Sequence, residues 1–332
     1  MTAPSLLRWC RRNLFATPLD MALTCALLPL LLLAAGRLLA WTVQEARWSI
    51  VGDNLRVLMV GTFPPQDMAR AWGASAALAL AAGTSLWVLA RPHAPWLRKA
   101  LGAVWLLCLL AVGVALAPVG MAHWGGLLLS VLVTLAAAAL SMVLGVLLAL
   151  GRGSRHAGLR VVCTGYIELM RALPLILVVY WIWIVTPLLA PGATVPDLVR
   201  GVAAFTLFFA AYAAEYVRSG LQSVPRGQVE AAASLGLSGA QTARHIVLPQ
   251  ALRVAMPALV GHVLDVFNTV PLLFIIGLTD FLRAGQMVLV DPRSSGHGYE
   301  IYLFLFAVCL AVSSLVTFGA RRIEARMAEG YR

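Results

Sequence analysis

The stretch EAAASLGLSGAQTARHIVLP occupies residues 230–249 and lies between two of the most apolar stretches of the chain. It predicts a short amphipathic helix of small residues over 229–236, a second helix over about 238–248, and a stop at Pro249. Ser238 is a good N-cap, because its hydroxyl can accept a hydrogen bond from the first helical N–H groups. Gly236 permits a turn or the close approach of another surface. The pattern therefore indicates a helical loop that interrupts an apolar chain.

The composition around this loop is that of a membrane protein. Of 332 residues, 61% are hydrophobic and 12% are charged, whereas soluble domains carry about 25% charged residues. The first apolar run lacks a convincing cleavage site, so we expect it to be retained as a span. The net charge is +11, but the basic residues are dispersed between apolar runs, and we expect no nucleic-acid binding. The five cysteines form no C-x-x-C, so neither a disulfide framework nor a metal site is expected.

Apolar runs long enough to cross a bilayer recur along the chain. A helix needs about 20 apolar residues to cross roughly 30 Å of hydrocarbon. Open strands cannot span lipid, so the runs are expected to be helices. The fold class predicted is an all-α, polytopic helical bundle in the inner membrane with about eight transmembrane helices. The candidate spans are roughly 20–41, 73–90, 100–117, 125–150, 162–188, 200–219, 255–280 and 299–320.

Orientation follows from the arginines and lysines, which concentrate in alternate connecting segments. Their distribution places both termini and residues 221–253 in the cytoplasm. Residues 42–72 and 281–298 are expected outside, and Asp280 is expected to be solvated at the outer end of its span.

The opening stretch also carries a spaced signature, E-A-A, then Gly after three residues, then nine residues, then I-x-L-P. It resembles the signature loop of the permease subunits of bacterial ABC importers. The resemblance implies that the loop forms a coupling helix, which docks in a groove of a cytoplasmic ATPase. The matching residues are Glu230, Ala231, Ala232, Gly236, Ile246, Leu248 and Pro249.

Other segments extend this resemblance to permeases for polar amino acids. They are GLLLSVLVTLAAAALSMVLGVLLALGR, YIELMRALPL and YAAEYVRSGLQSVPRGQVEAA, while NLRVLMVGTFPP and the first three spans resemble the general L-amino-acid branch. The implied organisation has three parts. Residues 1–120 form an extension with three spans and the outside loop 42–72. Residues 121–320 form a five-span type I importer core that contains the coupling loop 221–253, and residues 321–332 form a cytoplasmic tail.

Two segments depart from the family pattern near the expected substrate path. The family commonly shows R-G-T-P-L where this chain has Arg171-Ala172-Leu173-Pro174-Leu175. It commonly shows a Lys-Asp-Thr-like cluster where this chain has Phe267-Asn268-Thr269-Val270-Pro271-Leu272, without the lysine. The candidate path residues are Glu168, Arg171, Pro174, Asp265, Asn268, Thr269 and Pro271.

Each of these path residues has a structural alternative. Glu168 and Arg171 are three residues apart, so an ion pair within one helix is an alternative to a role in transport. Asp265 can neutralise a cationic ligand group or pair with a neighbouring arginine. Pro174 and Pro271 either expose backbone to a cavity or only kink a helix for packing.

Lys99 is the only lysine, and no glycine-rich P-loop precedes it. The chain is therefore expected to be a non-catalytic transport subunit without a cofactor, with ATP and Mg²⁺ bound by a separate ATPase. We expect it to move polar or broad-range L-amino acids into the cytoplasm by alternating access. The expected partners are cytoplasmic ATPase subunits, a second permease subunit (identical or different), an extracellular or periplasmic amino-acid-binding protein, and the lipid bilayer. The alternative is a secondary transporter or channel that uses Glu168, Glu215 or Asp265 as a proton relay.

Overall fold

The computed structural model describes residues 10, 12–90, 95–189, 191–192 and 194–329. The chain divides into two units, Met1–Gly52 and Asp53–Arg332. The helices are α1 (Pro18–Gln44), α2 (Ser49–Asp53), α3 (Leu55–Val60), α4 (Met68–Ala90), α5 (Pro95–Leu116), α6 (Gly126–Arg152), α7 (Ala157–Ala172), α8 (Leu175–Leu189), α9 (Asp197–Gln222), α10 (Arg226–Ser234), α11 (Gly239–Thr242), α12 (Leu248–Thr269), α13 (Phe281–Val290) and α14 (Gly298–Glu329). A two-residue strand, β1 (Thr279–Asp280), precedes α13.

The first unit is dominated by α1, which is apolar all round and has no buried residue. Thr17 caps its N-terminus, where the Asp20 N–H donates to the Thr17 hydroxyl over 3.1 Å and the Asp20 carboxylate accepts from the Thr17 N–H. Pro18 occupies the first turn, where its missing N–H leaves no donor unpaired. A helix that is apolar on every side is suited to lipid.

Within the described residues, six helical segments are long and apolar enough to cross a membrane. They are Pro18–Gln44, Pro65–Val88, Gly126–Arg152, Asp197–Gln222, Gly239–Ile276 and Gly298–Arg322. Helices α7 and α8 together form a seventh candidate, and Ala100–Leu116 is a shorter apolar helix. Each of the eight predicted runs overlaps a helix, but among the described residues six segments, or seven with the bent pair, are long and apolar enough to be spans, against the eight predicted.

The fifth predicted span, 162–188, is wrong as one continuous helix. Helices α7 and α8 meet at an angle of 110°, and Leu173 between them is extended, with φ −92° and ψ 143°. Pro174 explains the break, because proline disfavours helical backbone at the residue before it and supplies no N–H. The chain therefore turns sharply between α7 and α8 instead of continuing as one straight helix.

The core of the second unit lies where α6, α9 and α12 pack together. Leu129, Phe205 and Val266 are among its fully buried side chains. Small residues bring the backbones together: a Cβ added to Gly145 would lie 2.6 Å from the Cβ of Ala213. Packing through small residues is how membrane helices associate closely, because apolar burial alone gives little preference over lipid.

The predicted outside loop 42–72 contains short helices and a buried aromatic side chain. It contains α2 and α3, and Phe63 is fully buried in a cluster with Leu116 and Leu128. Gly61 follows α3 with φ +80°, and a Cβ there would lie 2.5 Å from the Cα of Gly125. Only glycines permit this backbone contact, which fixes α3 against the start of α6.

Asp280 is fully buried, so the expectation that it is solvated is wrong. Its carboxylate accepts hydrogen bonds from the N–H groups of Leu282 and Arg283, over 3.0 and 3.1 Å. Asp280 is thus the N-cap of α13, which explains why a charged side chain is retained inside the protein.

Candidate functional site

The loop between α9 and α12 is built from two short helices joined by a tight turn. Helix α10 ends at Ser234, and the turn that follows contains Gly236, whose φ is +76°. The Gly236 N–H donates to the Ala233 carbonyl over 3.0 Å, and the Leu237 N–H donates to the Ala232 carbonyl over 3.1 Å. These two bonds define a Schellman turn, which favours glycine at the left-handed position. Apart from its two chain neighbours, no atom of the described residues lies within 4 Å of a Cβ added there.

Ser238 is the N-cap of α11, as predicted, and it forms a complete capping box with Gln241. The Gln241 N–H donates to the Ser238 hydroxyl over 3.3 Å, and the Gln241 side chain accepts from the Ser238 N–H over 2.9 Å. The predicted stop at Pro249 is wrong. A π-helical turn, Ala243–Val247, leads into α12, and Pro249 lies in the first turn of that helix, where its missing N–H is harmless.

The signature residues divide into a supporting part and an accessible part. Ala232 is 1% exposed, while Ile246 and Leu248 are half-buried. Glu230, Ala231, Gly236 and Pro249 are exposed. Leu235 next to the turn is 81% exposed, and Val229 is 44% exposed. The loop therefore presents apolar side chains and one carboxylate on a surface that this chain does not cover.

The candidate path residues of α12 are exposed on one face. Asp265 and Asn268 are both exposed on this chain, and the Thr269 hydroxyl donates to the Asp265 carbonyl over 2.8 Å. Among the described residues, the ion pairs found do not include Asp265, so the structure gives no arginine partner for it. Pro271 lies in the 3-10 segment Val270–Ile276, which continues α12 towards a left-handed Gly277.

Two tyrosines of α9 lie near these residues. The Arg171 guanidinium is 6.0 Å from the centroid of the Tyr212 ring. The Tyr216 ring centroid is 6.0 Å from that of His262, which lies three residues before Asp265 on α12. Neither tyrosine carries a sequence signal of its own, but their spacing of four residues places them on one face of a helix. The two tyrosines therefore lie between the predicted path residue Arg171 of α7 and the predicted path residues of α12.

Five charged side chains join the C-terminal ends of α6, α7 and α9, and we call them the arginine network. Arg152 bridges two carboxylates, with 2.6 Å to Glu215 and 3.1 Å to Glu168. Glu215 also accepts from Arg218 over 2.8 Å and lies 3.8 Å from Arg171. The structure thus pairs Glu168 with another helix, whereas the alternative from sequence was a pair with Arg171. Pro174 lies at the break after α7.

The sequence is similar to known transport proteins. Residues 141–329 match the family model of the binding-protein-dependent transport system inner membrane component. The inner membrane amino-acid ABC transporter permease protein YhdY of Escherichia coli is 32% identical over 320 residues, covering 89% of this chain and 86% of that protein. The glutamate/glutamine/aspartate/asparagine transport system permease protein BztC of Rhodobacter capsulatus is 38% identical over 59% of this chain. The chain spans 45% of that protein's length.

A solved structure is also similar. It is a crystal structure of an amino acid ABC transporter with histidines, with a TM-score of 0.52 and 29% identity. The match covers 59% of this chain and 92% of the solved one.

Proposed function

Because the chain belongs to the binding-protein-dependent transport system inner membrane components, and among them to the amino-acid ABC permeases, we propose that it moves polar or broad-range L-amino acids into the cytoplasm by alternating access. The prediction of a multi-pass ABC importer permease of the inner membrane is confirmed. Such a chain is a transport component, and alternating access needs no covalent chemistry from it.

The loop from Arg226 to Pro249 is the observation that carries the proposal. Its accessible face is apolar around Val229 and Leu235, with Glu230 beside them. An exposed apolar surface rimmed by charge suits a protein partner. We assign this partner as a cytoplasmic ATPase subunit that binds ATP and Mg²⁺, since the chain carries one lysine and no P-loop. This assignment puts the loop and both termini in the cytoplasm.

The substrate path is proposed along the strip formed by Arg171, Tyr212, Tyr216 and Asp265. An exposed carboxylate within a membrane helix faces a polar cavity or another subunit rather than lipid. A guanidinium and a carboxylate separated by aromatic rings complement the two charges of an amino-acid zwitterion. Asn268, Thr269 and Pro271 continue the strip on α12. A second permease subunit would close the cavity, and a binding protein would deliver the amino acid from outside.

Two of the three carboxylates named for the secondary-transporter alternative, Glu168 and Glu215, give it little support. A proton relay needs carboxylates that gain and lose protons during transport. Glu168 and Glu215 are both held by arginines, and such pairing favours permanently charged side chains.

The test of the proposal is co-purification of an ATP-hydrolysing subunit through a tag on this chain. Gly236→Ala forces alanine into the left-handed region, which costs about 1–2 kcal/mol, so we expect about five- to thirtyfold less bound ATPase. Gly239→Ala is the matched control, since it adds the same methyl group in open space at an ordinary φ. Gly236→Asn should retain the ATPase, because asparagine tolerates the left-handed region.

The proposal would be contradicted if no ATP-hydrolysing subunit accompanies the wild-type chain. It would also be contradicted if Gly236→Ala and Gly239→Ala both bind the ATPase normally.

A further inference from the structure

The coupling loop connects α9 to α12, and these two helices contact each other at the ends that adjoin the loop. A Cβ added to Gly220 would overlap the carbonyl oxygen of Ala251. Val217 and Ala251 are fully buried at the same contact, and Ala255 is 4% exposed. Helices α9 and α12 therefore meet backbone to backbone where the loop begins and ends. A displacement of the loop must move these close-packed ends together, because packed interiors deform little.

Glu215 precedes this contact on α9, and its carboxylate interacts with three arginines. The Arg218 Nε and Nη2 atoms donate to its carboxylate over 3.0 and 2.8 Å, and Arg152 Nη1 donates over 2.6 Å. The Glu215 side chain is 15% exposed, whereas Glu168 is 56% exposed. An ion pair with a buried partner is screened less by solvent than a surface pair. Glu215 is therefore the most strongly held member of the arginine network.

Arg152 is the member that joins separate helices. It ends α6, and its two terminal nitrogens bind Glu215 of α9 and Glu168 of α7 at the same time. Arginine can do this because its planar guanidinium presents several donors in a fixed fork. If the charge of Arg152 were removed, the partly buried Glu215 would keep only Arg218 as a close partner, with Arg171 farther away. Glu168 would lose its ion pair with Arg152.

Helix α7 packs against α6 and α9, but few of its own side chains are fully buried there. Only Cys163 and Ile167 of α7 are buried. The Tyr166 hydroxyl donates to the Leu207 carbonyl of α9 over 2.6 Å, and Gly151 packs against the Cys163 sulfur. The break at Pro174 lies directly after Arg171, so a movement of α7 changes the angle at which α8 leaves it.

We propose that the arginine network, through Arg152, is the element that transmits movement of the coupling loop to the broken helix pair α7–α8. This inference rests on the proposed function. Arg152 acts as a positioning residue. It fixes α6, α7 and α9 relative to one another, so that a displacement of the coupling loop also displaces the part of the proposed substrate path beside Arg171. Coupling of this kind requires an element with two arrangements that both sites bias, and in this proposal the two arrangements differ in the angle between α7 and α8, which is 110° in this structure.

The experiment compares transport with ATP hydrolysis in variants of the whole transporter. Cells that make the transporter take up a mixture of radiolabelled L-amino acids. ATP hydrolysis is measured on the complex purified from the same cells through a tag on this chain. For Arg152→Gln we expect uptake to fall about tenfold or more, within the usual range of coupling between sites. ATPase co-purification and basal hydrolysis should stay close to wild type.

Two further variants separate coupling from simple stability. Arg152→Lys should give intermediate uptake, since one ammonium keeps the charge but does not reproduce the guanidinium fork. Arg160→Gln is the matched control and should transport normally. It removes an exposed charge from the same α7, where, within the described part of the chain, the Arg160 guanidinium donates to the Ser154 carbonyl over 3.5 Å.

Normal uptake by Arg152→Gln would overturn the inference. A parallel loss of uptake, co-purification and basal hydrolysis would also overturn it, because the network would then only stabilise the fold. If wild-type cells take up no more amino acid than cells without the chain, the proposed function itself fails, and the inference fails with it.

Discussion

At the residue scale, the loop shows what a short pattern can predict. The Ser238 cap follows from the residue types alone, because an N-cap and its Gln241 partner are local in sequence. The partner of Glu168 does not follow, because Arg152 reaches it from another helix. The prediction that Asp280 is solvated was wrong for the same reason. Its burial depends on the packing around α13 and not on its neighbours in sequence.

Asp265 provides a test of the proposed path at this scale. Asp265→Asn keeps the shape but removes the charge offered to a ligand ammonium, and a hydrogen bond to a charged group is worth about 1.5–3 kcal/mol. Uptake of labelled L-amino acids should fall about tenfold or more, with normal ATPase co-purification. Asp53→Asn, at an exposed residue of α2, is the control and should transport normally. Equal uptake by the two variants would remove Asp265 from the path.

At the element scale, long apolar runs predicted the helices well, because lipid requires about 20 apolar residues and an internally bonded backbone. The position of Pro174 indicated an interruption, but the 110° angle between α7 and α8 depends on packing against other helices. The contact of Gly61 with Gly125 was also hidden from sequence, since a glycine pattern does not name its distant partner.

Orientation of the elements is a prediction that labelling can check. The native cysteines are first replaced, and one cysteine is then introduced at Ser295 or at Ser238, both of which are exposed. An impermeant thiol reagent added outside the cells should label position 295 and leave position 238 unlabelled, because arginine-rich segments stay inside. Labelling at position 238 in intact cells would place the loop outside and exclude an ATPase there. Labelling after the membrane is opened shows that the site is reactive.

At the scale of the whole molecule, the family and the inner-membrane location follow from the sequence and are supported by the relatives. The division at Gly52 does not coincide with any change in composition that the sequence displays. The proposed substrate strip is also a property of the whole molecule, because α7, α9 and α12 each contribute part of it. No single segment contains enough information to assemble it.

The energy source of transport tests the central claim most directly. Uptake of labelled L-amino acids is measured in cells with and without this chain, after either ATP depletion or collapse of the proton gradient. The chain-dependent uptake should disappear when ATP is depleted while the membrane potential is maintained. It should persist when the proton gradient is collapsed and ATP is kept available. Chain-dependent uptake that survives ATP depletion and follows the proton gradient would contradict an ABC permease and favour a secondary transporter.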